Sequence, residues 1–324
     1  MTDSVTKPHQ PPSASFPLYL EKPMKCLVRK ACRRYAALLT LLPSVVLAQA
    51  VYEPFDYVAG SSMNGLEATG RGLAGHYTGP SVGDLQISSP TLGYGNLSGA
   101  TPGVAGNKLT DIGLGGAATV TVAVDQDIVV APGQQLFFSA LFTLDDTGNH
   151  VPYAWIDLID SASGGRLGFG EPVAGSRAIR VEADTASTGG LVSASKDNAF
   201  VDGQTWWLIG RYFNSTLPGQ DSLQLVGYET SQFEPVATAF DLSDPNADLA
   251  LSIDGVNINL QTISTIAFSI RGADNNFVDE LRIGRTFPSA VPEPSTALLL
   301  LAGIGLGLGA RRRRLGQERA AAER

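Results

Sequence analysis

Between residues 51 and 290 apolar and polar positions alternate in short runs. Val120, Val122 and Val124 interleave with Thr119, Thr121 and Ala123. Leu136, Phe138, Ala140, Phe142 and Leu144 interleave with Gln135, Phe137, Ser139, Leu141 and Thr143, so one face is wholly apolar and the other mixed. After the turn residues Asp145-Asp146-Thr147-Gly148-Asn149, the pattern resumes at Ala154, Ile156 and Leu158. The spacing predicts further strands over 178–183, 190–195, 205–213, 222–228, 263–270 and 277–283. Period-two alternation broken by Gly, Asn, Asp and Pro is the pattern of half-buried antiparallel strands. About a dozen strands without a Pro/Ser-rich divider fit one two-sheet sandwich better than two domains. No repeat of solenoid length is present, and outside the two ends no stretch has a helical period of comparable strength.

Composition agrees: 324 residues carry 36 Gly and 19 Pro, with 44% hydrophobic and 17% charged. That excludes a helical bundle, a coiled coil or an acidic disordered chain. The net charge of −8 hides a segregation. Residues 51–290 hold 10 Lys/Arg against 26 Asp/Glu, while 1–50 and 291–324 are both basic. So acidic a body repels phosphate backbones, and nucleic acid is not an expected partner. Both cysteines, Cys26 and Cys32, lie near the start, which excludes a disulfide scaffold, a Cys-ligated zinc and a Cys nucleophile from the body.

The two ends read as export signals. From Met24, the basic residues Lys25, Arg29, Lys30, Arg33 and Arg34 precede an apolar run at 36–42, then Pro43, a second apolar run and Ala48-Gln49-Ala50. This is the charge, apolar run and small-x-small order of a secretory signal peptide, with cleavage expected after Ala50. Residues 1–23, with Pro11, Pro12, Pro17 and Pro23, read as a disordered extension or, preferably, as sequence ahead of a true start at Met24. At the other end Pro292-Glu293-Pro294 is followed by uncharged residues 297–310 and by Arg311, Arg312, Arg313 and Arg314. As a helix, 297–310 spans about 21 Å, short of a hydrocarbon core of about 30 Å, so it is expected to be a short and marginal transmembrane helix. The four arginines would keep the tail cytoplasmic and the acidic body outside.

The tail resembles the PEP-CTERM sorting signals of Gram-negative bacteria that make extracellular polysaccharide and carry an exosortase. That resemblance implies an exosortase-type processing protease as partner, transient membrane anchoring, and then the cell surface or extracellular matrix. A second resemblance rests on Tyr52-Glu53-Pro54-Phe55-Asp56-Tyr57 and on Phe277-Val278-Asp279-Glu280-Leu281-Arg282-Ile283-Gly284. They are similar to the first and last strands of LamG-like, concanavalin A-like jelly rolls, in which the two ends pair side by side. The expected layout is therefore a leader at 1–50, an all-β jelly-roll sandwich at 51–290 and a sorting signal at 291–324, with 285–290 as a linker.

The same fold hosts laminarinase-type glycoside hydrolases, whose retaining chemistry needs two carboxyls about 5 Å apart. The nearest stretch, Trp155-Ile156-Asp157-Leu158-Ile159-Asp160, has Trp where those enzymes place Glu and sends its two Asp to opposite faces. A non-catalytic role in the matrix or in glycan binding is therefore expected; the alternatives are a polysaccharide-active hydrolase with another carboxylate pair and a purely structural surface protein. His76 and His150, the histidines beyond the leader, are too few for a three-His zinc site. No cofactor is required, although Asp145, Asp146 and Asn149, or Asp274, Asn276 and Asp279, offer oxygen ligands for calcium. Trp206 and Trp207 adjoin on one strand, so one is expected in the core and the other outside, where it could stack on a sugar ring.

Overall fold

The computed structural model describes residues 49–79, 85–97, 106–113, 118–144, 153–172, 177–185, 190–232, 234–271 and 276–291. Along them run β1 (Gln49–Glu53), β2 (Leu73–Thr78), β3 (Leu85–Ser88), β4 (Lys108–Asp111), β5 (Ala118–Val129), β6 (Gln135–Leu144), β7 (Tyr153–Ile159) and β8 (Arg166–Glu171). They continue as β9 (Ile179–Asp184), β10 (Leu191–Lys196), β11 (Gln204–Phe213), β12 (Asp221–Glu229), β13 (Leu249–Val256), β14 (Thr262–Arg271), β15 (Phe277–Gly284) and one helical turn, α1 (Phe287–Ala290). The strands form two antiparallel sheets that pack face to face as an all-β sandwich. One sheet runs β13-β12-β11-β6-β15-β4-β3 with β1 added beside β15; the other runs β10-β9-β8-β7-β14-β5-β2.

The alternation sets which residues meet between the sheets. Val120, Val122 and Val124 of β5 and Ile156 and Leu158 of β7 face Leu136, Phe138 and Phe142 of β6 and Leu208 of β11 in one buried cluster. Burying each such side chain contributes about 1.5–3 kcal/mol, which is why a one-residue slip of register would be so costly. The ends do pair: β1 lies antiparallel to β15, with Val51 opposite Ile283 and Glu53 opposite Leu281.

Two acidic groups are built into this pairing. Glu53 faces inward and is fully buried; its carboxylate accepts the N–H of Phe55 (2.6 Å) and the hydroxyls of Tyr57 and Tyr77. Asp279, equally buried, faces outward and accepts from the Thr91 hydroxyl (2.6 Å), the Leu92 N–H (2.8 Å) and the Glu280 N–H (2.8 Å). It thereby ties the segment 91–97 to the outside of the eight-stranded sheet. At the bulge that follows, Glu280 (φ +54°) bonds Tyr52 (2.9 Å) and Arg282 (2.7 Å).

The outer face of that sheet carries its own small core of Leu92, Tyr94, Leu97, Phe137, Leu141, Trp207, Ile209, Val226, Tyr228, Phe287 and Ala290. Two sequence expectations change here. Residues 285–290 are not a linker: Arg285 bonds Gln134 (2.6 Å) and the Val129 carbonyl, Phe287 packs edge-on to Phe137 (6.1 Å) and Phe240 (6.3 Å), and the Ala290 carbonyl accepts from Ser139. Nor does either tryptophan face solvent. Trp206 is 3% exposed within the sandwich and Trp207 0% exposed on the other side, edge-on to Tyr94 (5.1 Å). The strand does alternate, but chain segments cover both faces of its sheet, so neither ring can stack on a sugar.

Candidate ligand-binding surface

The outer face of the seven-stranded sheet has a different character. Pairing of β7 with β8 and of β8 with β9 sets residues in rows: Asp157 beside Gly168 beside Glu182, and Trp155 beside Gly170 beside Arg180. Ser193 and Ser195 of β10 continue the two rows at one end, Ala267 and Ser269 of β14 at the other. Gly168 of β8 makes room for the neighbouring side chains. A Cβ on Gly168 would lie 2.5 Å from both the Trp155 indole and the Asp157 carboxylate. The indole thus sits against Gly168, 2% exposed, and its Nε1 donates to Asp157 Oδ1 (2.8 Å).

Arg166, at the start of β8, reaches over this floor. Its guanidinium lies 3.5 Å from Asp157, 3.0 Å from Glu182 and 3.7 Å from Asp184, and Arg180 approaches Glu182 from the other side at 3.8 Å. Burial raises the pKa of both Asp157 and Glu182; for Asp157 the Trp155 N–H and Arg166 oppose the rise, for Glu182 Arg166 and then Arg180. Burial likewise pushes Tyr153, at the edge of the patch, up to about 12. Arg180 Nε and Arg271 Nε are buried donors without a hydrogen-bond partner. Asp157 and Glu182 are themselves buried, so the patch presents Arg166, Arg180 and Asp184 at strand spacing over them, an arrangement suited to hydroxyl-rich ligands.

It is poorly suited to bond cleavage. Asp157 and Glu182 share one guanidinium, so neither stands as a free acid or base. Asp160 lies beyond the end of β7, where it accepts the N–H groups of Ala162 (3.0 Å) and Ser163 (3.2 Å) in a tight turn. It is therefore no partner for Asp157. His76 is exposed on β2, and His150 lies outside the described residues.

Of the two calcium sets, Asp145, Asp146, Asn149 and Asp274 lie outside the described residues. Asp279 does not fit the second set, because protein donors occupy its oxygens. Asn276 is buried and donates to the Arg271 carbonyl (2.9 Å). Among the described residues no group of three or more His, Cys, Asp or Glu could hold a metal. Ala50 is in β1, whereas Ala48, Pro292, Glu293, Pro294 and Arg311 to Arg314 lie outside the described residues. The patch around Arg166 escaped the sequence reading because its members come from three strands; the signal was the Gly-x-Gly of β8 beside an alternating strand, an opening for a large neighbouring side chain.

Residues 290–314 match the model of the PEP-CTERM protein-sorting motif. The chain carries a PEP-CTERM sorting signal. The signal begins at Ala290, the residue whose carbonyl is bonded to the sheet, so the sorting motif leaves the sandwich without a spacer. No curated protein matches the sequence. Among solved structures, the chain is similar to the T. cruzi calreticulin globular domain, at 12% identity over 74% of this chain and 88% of that one, with a TM-score of 0.42. It is also similar to lectin II from Ulex europaeus, at 10% identity over 72% and 96%, TM-score 0.39. The botulinum neurotoxin serotype D binding domain aligns at 13% identity over 74% of this chain, TM-score 0.41, and the chain spans 48% of that one. Among the described residues no helix is long and apolar enough to cross a membrane.

Proposed function

We propose that this PEP-CTERM protein is exported across the inner membrane of a Gram-negative bacterium and processed at its tail by an exosortase-type protease. At the cell surface or in the extracellular matrix, its sandwich binds glycan without catalysis. The match over 290–314 supports the route. The observation that supports glycan binding is the row of carboxylates and guanidinium groups around Arg166, laid on a glycine floor on an outer sheet face. A sugar's paired hydroxyls would accept from Arg166 and Arg180 and donate to Asp184, while the buried Asp157 and Glu182 fix Arg166 and Trp155 holds Asp157 in place.

Incubating the secreted protein with a panel of β-glucans and other extracellular polysaccharides tests this reading. Binding without turnover, lost in Arg166→Ala, is the expected result. Release of reducing ends would instead make the protein a hydrolase, and a flat panel would leave it a structural surface protein. The reading needs no cofactor. Loss of binding in EDTA, restored by calcium, would point to Asp145, Asp146 and Asn149.

A further inference from the structure

We infer that the leader must be removed before β1 takes its place, so that processing and closure of the sandwich compete for one peptide bond. The inference rests on cleavage following Ala50. That bond is not in a tail ahead of the fold: Gln49 and Ala50 already belong to β1. On one flank, Gln49 and Val51 pair with Gly284 and Ile283 of β15, with Ala50 in a bulge between them. On the other flank runs the segment 70–72. Tyr52 N–H donates to the Arg71 carbonyl (3.0 Å), and Gly72 (φ +74°) lies so close that a Cβ there would collide with the Ala50 carbonyl oxygen. The Asp125 N–H in turn donates to the Gly72 carbonyl (2.9 Å), fixing that segment to β5.

Val51 is fully buried, and the next two residues are anchored, Tyr52 by Glu280 (2.9 Å) and Glu53 by Phe55 and Tyr77. A protease takes up the residues flanking its target bond as an extended strand along its own cleft, which requires a free strand edge. In the folded chain both edges at Ala50–Val51 are taken. The partner that closes one of them, β15, is the last of the described strands, more than two hundred residues after the bond. Until it has crossed the membrane the bond is open, and once it docks the bond is closed.

The full chain, unfolded in urea, is diluted into detergent buffer with bacterial signal peptidase either present at dilution or added after refolding, and products are weighed by mass spectrometry. When cleavage depends on transient opening of β1, late addition should release at least ~10-fold less product ending at Ala50. Gly72→Val, which pushes the Ala50 carbonyl away, should restore late cleavage in a chain that still melts cooperatively. Equal cleavage in both orders overturns the inference, as does a cooperatively folded Gly72→Val chain that stays as resistant as wild type. Absence of cleavage after Ala50 in either order refutes the leader reading itself, and this inference with it.

Discussion

Phe287→Ala separates a docked exit segment from a linker. Phe287 is 8% exposed and lies edge-on to Phe137 and Phe240 on the outside of the eight-stranded sheet. Truncating a buried Phe costs about 3–5 kcal/mol in a well-packed core. The small outer core opens to water on one side and can collapse in part, so about 3 kcal/mol is expected here, of which the two edge-on ring pairs supply about 1–2 kcal/mol. For a domain of this length each 1 kcal/mol lowers the melting temperature by about 2–4 °C, giving a drop of about 6–12 °C. Thermal unfolding of 51–291, followed by circular dichroism, reads it directly. A Phe287→Ala protein melting within about 1 °C of wild type would show that the contact carries no stability and that 285–290 behaves as a linker after all.

Three further outcomes are expected. A chain ending at 291 should melt like one that keeps the tail, whereas a chain ending at 284 should lose at least as much as Phe287→Ala; equal melting of the two truncations would contradict the docking. Gly168→Val should abolish glycan binding while leaving a cooperative melt, since the new side chain displaces the Trp155 indole and with it Asp157; calorimetric titration of the two proteins checks this. Burial pushes Asp279 up to about 8, against the Thr91, Leu92 and Glu280 donors. The folded state therefore holds a proton that the unfolded chain, titrating near 4, has lost, and stability falls as pH rises from about 4 to 8, by at most ~1.4 kcal/mol per unit. Burial raises Glu53 as well, with the same sign. Urea unfolding across that range should show the decline, and Asp279→Asn should flatten part of it; a slope unchanged in the variant would reassign the proton.

Where alternation was clean the strands were legible. β5, β6, β7, β11, β12, β14 and β15 fall where period-two runs predict them, and β1 beside β15 is where the terminal motifs place it. β8 was not legible, because Gly168 and Gly170 stand at its outward positions and leave no polar side chains to alternate with Leu167 and Phe169. The short β3 and β4 give too few positions for a period to show. Trp206 and Trp207 were misread for a related reason: alternation states which sheet face a residue takes, but not that 92–97, 236–247 and 287–291 lie over the far face. The same limit hid the docked exit, since Arg285, Phe287 and Ala290 find partners more than a hundred residues away in sequence, on β5 and β6 and in the loop between them, and Phe287 a further one at Phe240. Nothing local marks Arg166 either; its three carboxylates come from β7 and β9.

We propose that the Pro-Glu-Pro signal directs processing of the exported sandwich at the membrane. Changing Pro292, Glu293 and Pro294 together to Ala tests it most directly, with the mass of the protein measured in membrane, surface and medium fractions. Proline favours extended backbone and lacks an N–H donor; alanines would favour backward growth of the helix expected over 297–310 and so a longer anchor. The sandwich itself should melt as wild type, because the described contacts of the exit segment are made by residues up to Val291. The variant is predicted to accumulate uncleaved in the membrane fraction. Recovery from the surface or the medium at the processed mass of wild type would contradict the claim.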